Sequence, residues 1–95
     1  MEEKWKQAKV KYPIGSNIKG TVIESMPFGL FIDIGYGNHP SKKLTGIIDI
    51  VASKSLPKDT NDWPRIGDII EGKVFSFREN SKEIDLKLIR VCNSE

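Results

Sequence analysis

The chain has 95 residues, enough for one domain with one modest hydrophobic core. Hydrophobic residues make up 38% of it and charged residues 29%. This composition is ordinary for a globular protein, and no apolar run approaches the roughly 20 residues of a membrane-spanning helix. The net charge of +2, from 15 basic and 13 acidic residues, permits nucleic-acid binding without requiring it.

Several further classes of protein are disfavoured by the sequence. Residues 1–11 carry lysines and glutamates but no apolar stretch, so we expect no secretory signal and a cytoplasmic location. Cys92 is the only cysteine and His39 the only histidine, which excludes an intramolecular disulfide and a thiolate–imidazole zinc site. Nothing in the sequence points to another metal site or to a cofactor.

The first predicted element is a short amphipathic helix within residues 2–11. Trp5, Ala8 and Tyr12 recur at spacings of three and four among lysines, as expected for one face of a helix. The helix should end before Pro13, because the residue that precedes a proline is pushed out of the helical region. We expect Trp5 to close an open end of the structure that follows.

Strand patterns follow, in which apolar and polar residues alternate. The predicted strands lie near 17–24, 29–35, 44–50, 68–77 and 83–89. The third is expected to place Ile48 and Ile50 on one face and Asp49 on the other. The apolar phase of the strands predicts a core made of Ile18, Val22, Leu30, Ile32, Ile48, Val74, Ile84 and Leu86.

Three glycines and one long connection indicate how the strands are arranged. Gly20, Gly46 and Gly72 each fall inside a strand, where glycine marks a bend or a close backbone approach. In the fourth strand, Phe75 and Phe77 indicate a bulge that exchanges the two faces. Five short strands, with a connection over 51–67 that Trp63 is expected to anchor, predict an all-β fold in the form of a small barrel.

Four local patterns then carry a family resemblance. They are Trp5 followed by Tyr12-Pro13-Ile14-Gly15, Ile18-Lys19-Gly20-Thr21-Val22, Phe28-Gly29-Leu30-Phe31-Ile32-Asp33-Ile34-Gly35, and Ile66-Gly67-Asp68 with Ile84-Asp85-Leu86-Lys87-Leu88. In this order and spacing they resemble the ribosomal S1-type domain, an RNA-binding module repeated in the largest protein of the small ribosomal subunit. The resemblance implies a five-stranded OB-fold barrel with a short N-terminal helix, RNA binding and a part in translation.

The chain departs from the family pattern at two positions. Asp49 follows Gly46-Ile47-Ile48, where the family usually has a histidine that faces the nucleic acid. Arg78 ends the fourth strand, where an acidic residue is common, while Lys82 lies near the family's basic position. A carboxylate at position 49 would repel phosphate.

Phe31 is the clearest candidate for a binding residue. Period two places it on the outer face of the second strand with Asp33, where its ring offers a surface on which a base can stack. Phe28 would be a second stacking surface beside it. The structural alternatives are that Phe31 packs under residues 51–67 and that Phe28 plugs the end of the barrel.

Basic residues could follow a phosphate backbone along the same barrel. They lie at outward strand positions or in the last turn: Lys19, Lys73, Arg78, Lys82 and Lys87. The alternative for each is ordinary solvation. The loop after the second strand adds Tyr36, His39, Lys42 and Lys43. These residues could contact the nucleic acid, or they could be loop residues without a role in binding. Asp33 and Asp49, on neighbouring strands, could face each other.

The residues favour a binding module and no enzyme, because no set resembling a catalytic triad is present. We predict one domain over 1–95, with a helical lead-in at about 2–11, the barrel at about 16–89 and a tail at 90–95. Expected partners are single-stranded RNA, bound with low sequence preference, and the ribosome or another RNA-processing protein, with no membrane contact and the chain as a monomer. The alternative function is a protein-interaction module for a ribosomal or other basic protein, favoured by Asp33 and Asp49.

Overall fold

The computed structural model describes residues 2–35 and 44–92 of the chain. Its elements are α1 (Glu2–Lys11), β1 (Asn17–Met26), β2 (Gly29–Asp33), β3 (Thr45–Asp49), α2 (Ile50–Ser53), a 3-10 turn (Thr60–Asp62), β4 (Ile69–Arg78) and β5 (Glu83–Val91). The strands form a closed barrel in the order β1-β2-β3-β5-β4. Only the β3–β5 contact is parallel among these described pairs. The all-β barrel with a short N-terminal helix is confirmed.

The barrel interior is filled by the apolar phase of each strand, as predicted. All eight residues of the expected core are at most 4% exposed, and Leu30, Ile32, Ile48, Ile84 and Leu86 are fully buried. Trp5 and Ala8 of α1 join the same cluster. The helix therefore covers one part of the barrel, as its amphipathic spacing predicts.

Two strand glycines are required by close packing inside the barrel. A Cβ atom on Gly20 would lie 2.5 Å from Ile32 Cγ2, and one on Gly46 would lie 2.7 Å from Leu86 Cδ1. Both separations are shorter than carbon atoms tolerate. These positions therefore let neighbouring strands and core side chains approach more closely than any other residue would allow.

The bulge expected in β4 is present. The β4–β5 register shifts between Val74 and Ser76, which leaves Phe75 outside the regular pairing and turns Phe77 toward the interior. Phe77 packs against the core, and its ring meets Trp5 edge to face at 6.0 Å between centroids. The exchange of faces inferred from Phe75 and Phe77 is confirmed.

Two predicted boundaries are corrected by the structure. Ile50 was expected to share the inner face of the third strand with Ile48, but it starts α2 and is 36% exposed. The strand ends because the side chain of Asp49 caps α2, accepting hydrogen bonds from Val51 N and Ala52 N. At the other terminus, β5 continues into the expected tail, since Val91 still pairs with Ile70.

A glutamate in the β4–β5 turn anchors α1 to the barrel. Trp5 Nε1 donates a hydrogen bond to Glu79 Oε1 at 2.8 Å, and Lys9 Nζ lies 2.8 Å from Glu79 Oε2. The bonds from Lys9 and then from Trp5 hold the pKa of Glu79 below its usual range. This contact joins residues 74 and 70 positions apart, and no local sequence pattern predicted it.

The long connection packs against the barrel through the buried Trp63 and through one polar contact, made by Ser55. Trp63 is buried and its Nε1 donates to the carbonyl oxygen of Pro57 at 2.7 Å, so it anchors the connection as expected. Ser55 Oγ accepts a hydrogen bond from Leu88 N at 2.8 Å. Within residues 2–35 and 44–92, no helix is long and apolar enough to cross a membrane and no group of three potential metal ligands occurs.

Candidate functional site

Two phenylalanines form an exposed aromatic pair at the start of β2. Phe28 lies in the turn between β1 and β2 and is 46% exposed, while Phe31 is half-buried on the outer face. Their ring centroids are 6.0 Å apart and their planes are 88° from parallel, the edge-to-face arrangement that aromatic rings favour. We call Phe28 and Phe31 the aromatic platform.

The backbone beneath the aromatic platform is held against the end of β3 and the start of α2. The carbonyl oxygen of Phe28 accepts a hydrogen bond from Ile50 N at 2.8 Å. Gly29 follows with φ +155°, and a Cβ atom there would overlap the carbonyl oxygen of Ile48. Only glycine fits at this crossing, which lets the turn that carries Phe28 lie close against β3.

Asp49, Arg78 and Asp85 form a charged cluster on the same side of the barrel. Arg78 donates from Nε to Asp85 Oδ1 at 2.7 Å and from Nη2 to Asp49 Oδ2 at 3.2 Å. The side chain of Asp85 is only 8% exposed, which makes Arg78 the cation that permits its burial. Asp85 was expected only as an outward strand residue.

The bonds in this cluster favour the charged forms of Asp49 and Arg78. The backbone N–H groups of Ala52 and Val51, together with Arg78, hold the pKa of Asp49 below its ordinary value, although partial burial acts in the opposite direction. Asp85 first, and Asp49 second, raise the pKa of Arg78. Asp49 is therefore an ionised, bonded carboxylate whose charge Arg78 partly offsets.

The surroundings of Phe31 are acidic and apolar. Across the strands, Phe31 is paired with Ile47, Ile47 with Asp85, and Asp85 with Ser76. On the other side Phe31 is paired with the exposed Glu24 of β1. Ile47 is 2% exposed although it lies in the outward phase of β3. Arg78 is the cation of the charged cluster, and it is bonded to the carboxylates of both Asp49 and Asp85.

The candidate lysines lie apart from the aromatic platform. Lys73 of β4 is paired directly with Lys87 of β5, and both are exposed. Lys87 Nζ lies 5.7 Å from the ring centroid of Phe75. Lys19, on β1, is exposed and is paired with Glu71.

The remaining sequence-predicted residues are placed as follows. Lys82 lies in the β4–β5 turn with φ +58°, and its Nζ donates to the carbonyl oxygen of Glu79 at 2.8 Å. Asp33 is paired with Thr45 and Asp49 with Gly29, so the two aspartates lie at opposite ends of the β2–β3 ladder and do not face each other. Tyr36, His39, Lys42 and Lys43 lie outside the described residues.

The structure thus divides the predicted site into groups. Phe28 lies with Phe31, Asp49 with Arg78, and Lys73 with Lys87, while Lys19 and Lys82 belong to none of these pairs. Sequence reasoning missed Asp85 and Phe75. Period two does place Asp85 on the outer face, but its burial depends on Arg78 from another strand.

Comparison with known proteins gives relatives that are much longer than this chain. The chain is 28% identical over 86 residues to small ribosomal subunit protein bS1 of Chlamydia trachomatis, covering 88% of this chain and 14% of that protein. It is 27% identical over 92 residues to 4-hydroxy-3-methylbut-2-enyl diphosphate reductase of Clostridium tetani, covering 95% and 13%. The chain therefore spans about one seventh of the length of these curated relatives. No family model matches the sequence.

The fold also matches solved structures. RNase R of Mycoplasma genitalium, in its complex with ribose-methylated single-stranded RNA, superposes with a TM-score of 0.59 at 24% identity, covering 80% of this chain and 13% of that one. The apo form of the same protein gives a TM-score of 0.64 at 21% identity, covering 92% and 15%. The shared feature is the barrel fold.

Proposed function

We propose that this chain, an OB-fold domain of the ribosomal S1 type, binds single-stranded RNA with low sequence preference. The observation that carries the proposal is the aromatic platform, in which Phe28 and Phe31 meet edge to face at 6.0 Å with Phe28 exposed. Every base has a π-face, so stacking on such rings tolerates any sequence.

The relatives support the choice of RNA over other ligands. The sequence match to bS1 is a match to a ribosomal protein, and the RNase R structure contains bound single-stranded RNA. We propose RNA as the partner, with association to the ribosome or to another RNA-processing protein. A cytoplasmic, monomeric protein without membrane contact fits this role.

The backbone of the RNA would be held by lysines near the barrel surface. In this proposal Lys19, Lys73, Lys82 and Lys87 supply positive charge to phosphates. Arg78 and Asp49 act differently from the sequence expectation, because each is already bonded in the charged cluster. Their part is to shape the surface beside the rings, with Arg78 limiting the repulsion from Asp49 and Asp85. Affinity should be modest, since few cations are available.

A second candidate function is recognition of a basic protein. The observation that favours it is the charge around Phe31, where Glu24, Asp49 and Asp85 are opposed by Arg78. A half-buried ring surrounded by carboxylates suits a lysine- or arginine-rich segment, through ion pairs and cation–π contacts.

We propose no catalytic activity for the domain. The similarity to the reductase covers nearly the whole of this chain but only 13% of that enzyme. A segment of that size is compatible with an accessory binding domain. The reductase activity is therefore not transferred to this chain.

The proposal is tested by titrating a fluorescent single-stranded RNA of about four nucleotides, the lower end of OB-fold site sizes. Wild type, Phe31→Leu and Ile14→Ala are compared at two salt concentrations. Phe31→Leu keeps an apolar side chain but removes the stacking face, whereas Ile14 is exposed outside the aromatic platform. Weaker binding by Phe31→Leu alone supports the proposal. If wild type binds a lysine-rich peptide but no RNA, the second candidate replaces it.

A further inference from the structure

We propose a second nucleic-acid contact on the barrel, in which Lys73 and Lys87 together bind one phosphate and Phe75 holds Lys87 in place. We call Lys73 and Lys87 the lysine pair. The inference rests on the proposed RNA binding and extends it from a single platform to a path for the strand across β5 and β4.

The two positive charges of the lysine pair lie directly opposite each other across β4 and β5. Lys73 and Lys87 are paired across β4 and β5, and both side chains are exposed. Like charges that face each other across a ladder destabilise the pair. Neither lysine forms an ion pair with another residue of the described ranges. A phosphate bound between the two lysines would attract both ammonium groups and offset their mutual repulsion.

The neighbouring carboxylate, that of Glu71, is already bonded to other residues. Glu71 lies two residues from Lys73 along β4 and is paired with Lys19. Its carboxylate lies 2.9 Å from Arg90 Nη2 and accepts a hydrogen bond from Asn17 Nδ2 at 3.2 Å. The side chain of Glu71 is only 14% exposed, and the bond to Arg90 offsets its charge, so it does not form an ion pair with Lys73.

The bulge in β4 places the ring of Phe75 beside Lys87. The register shift between Val74 and Ser76 removes Phe75 from regular pairing. Its half-buried ring lies 5.7 Å from Lys87 Nζ, within the distance for a cation–π contact. The contact restrains a long side chain that would otherwise sample many rotamers, so less entropy is lost when Lys87 binds a phosphate.

The lysine pair lies within reach of a strand bound at the aromatic platform. From Phe31 the surface passes Ile47 to Asp85, two strand spacings away, and Lys87 follows Asp85 by two residues. With strands about 4.8 Å apart and a rise of about 3.3 Å per residue, the straight-line separation between Phe31 and Lys87 across the sheet is roughly 12 Å. An RNA longer than the minimal stacking unit would therefore reach from the rings to the lysine pair.

The test compares the salt dependence of binding for an RNA of about two nucleotides, which covers only the aromatic platform, and one of about ten, a length within the range of OB-fold sites. The variants are Lys73→Thr/Lys87→Thr and, as a control, Lys6→Glu, which lowers the net charge by the same two units at an exposed position of α1. For single strands, losing one phosphate contact should reduce the slope of log K against log salt by about 0.7. We expect this change with the longer RNA only, together with roughly tenfold weaker binding at low salt, and no slope change for Lys6→Glu.

A separate measurement uses the stability of the protein without RNA. Lys73→Thr removes the repulsion and introduces a good strand former, so its melting temperature should rise above that of wild type. A lower melting temperature would show that Lys73 is retained for structural reasons and would count against the proposal.

The outcomes separate the two proposals. If wild type binds RNA and Phe31→Leu weakens binding, but the double variant has the wild-type slope, the second contact is wrong and the aromatic platform stands. If the slope changes equally with both RNAs, the lysine pair belongs to the platform and there is no second contact. If wild type binds neither RNA, both proposals fail.

Discussion

Arg78 Nη2 lies 3.2 Å from Asp49 Oδ2, across 29 positions of the chain. These are the two residues at which the chain departs from the pattern it resembles, one acidic where a histidine is usual and one basic where an acid is common. The structure brings them together as an ion pair. One departure therefore offsets the charge of the other, and the pair is better understood as a joint replacement than as two losses.

The side chain of Asp49 caps α2 and pairs with Arg78, and different substitutions separate these two roles. Asp49→Asn keeps an oxygen that can cap α2 but loses the charge that binds Arg78, whereas Asp49→Ala loses both. We expect Asp49→Ala to be less stable than Asp49→Asn, with the lost cap contributing about 0.5–2 kcal/mol. Urea denaturation of the three proteins measures this difference. Equal stabilities of the two variants would show that the cap contributes nothing.

The pH dependence of stability should report the same carboxylate. Because the pKa of Asp49 is lower in the folded protein than its usual value of 3.8, its ionised form stabilises the fold above that pH. This contribution is lost as the pH falls through the lower, folded-state value. The difference in unfolding free energy between wild type and Asp49→Asn should therefore be largest near neutral pH and shrink below pH 3.8. A difference that grows on acidification would contradict the assigned direction.

Removing Arg78 should destabilise the barrel through Asp85. The Asp85 side chain is 8% exposed and bonded to Arg78 Nε, so Arg78→Ala leaves a buried acceptor without its donor. The expected loss is about 1–3 kcal/mol, reduced by solvent because Arg78 itself is partly exposed. In the Asp85→Asn background the same substitution should cost less, since the buried charge is gone. Identical losses in both backgrounds would exclude the coupling.

Ile32 tests the core. It is fully buried in β2, and Ile32→Ala should lower the free energy of unfolding by about 2–5 kcal/mol. In so small a domain this could unfold much of the population. Ile14→Ala, at a position that is 65% exposed, should change stability by less than about 0.5 kcal/mol. Thermal melts of both variants decide the point, and an unchanged melting temperature for Ile32→Ala would contradict the packing described.

Phe31 tests the aromatic platform. Phe31→Ala should weaken binding of single-stranded RNA by about 1–3 kcal/mol, the contribution of one stacked base. Because the ring is only half-buried, the loss of stability should be small compared with that of Ile32→Ala. Fluorescence anisotropy gives the affinity and a thermal melt gives the stability. Full affinity in a folded Phe31→Ala protein would show that the ring of Phe31 does not contact the RNA.

Local sequence patterns were sufficient to predict most of the fold. Alternation placed the eight core residues, and Phe75 with Phe77 located the bulge, because each of these features is determined by a few consecutive residues. The end of β3 was harder. Ile50 continues the alternating pattern, and only the capping bonds of Asp49 reveal that a helix begins there.

The candidate site was predictable only in part, for a related reason. Phe28 and Phe31 are close in sequence, so their proximity follows from one turn. The pairing of Asp49 with Arg78, and of Lys73 with Lys87, depends on barrel closure and on register, including the shifts along β4. A shift of one residue changes which side chains meet, and no local pattern reports it.

The bond between Ser55 and Leu88 has a consequence for the behaviour of the protein in concentrated solution. The described parallel ladder between β3 and β5 ends at Ile47 and Asp85, yet β5 continues to Val91. An uncovered strand edge is a template on which a second molecule can add a strand and start aggregation. Ser55 Oγ accepts the hydrogen bond of the Leu88 N–H at that edge, so this donor is not available to a foreign strand. One hydroxyl group thus helps to keep separate molecules from joining their sheets.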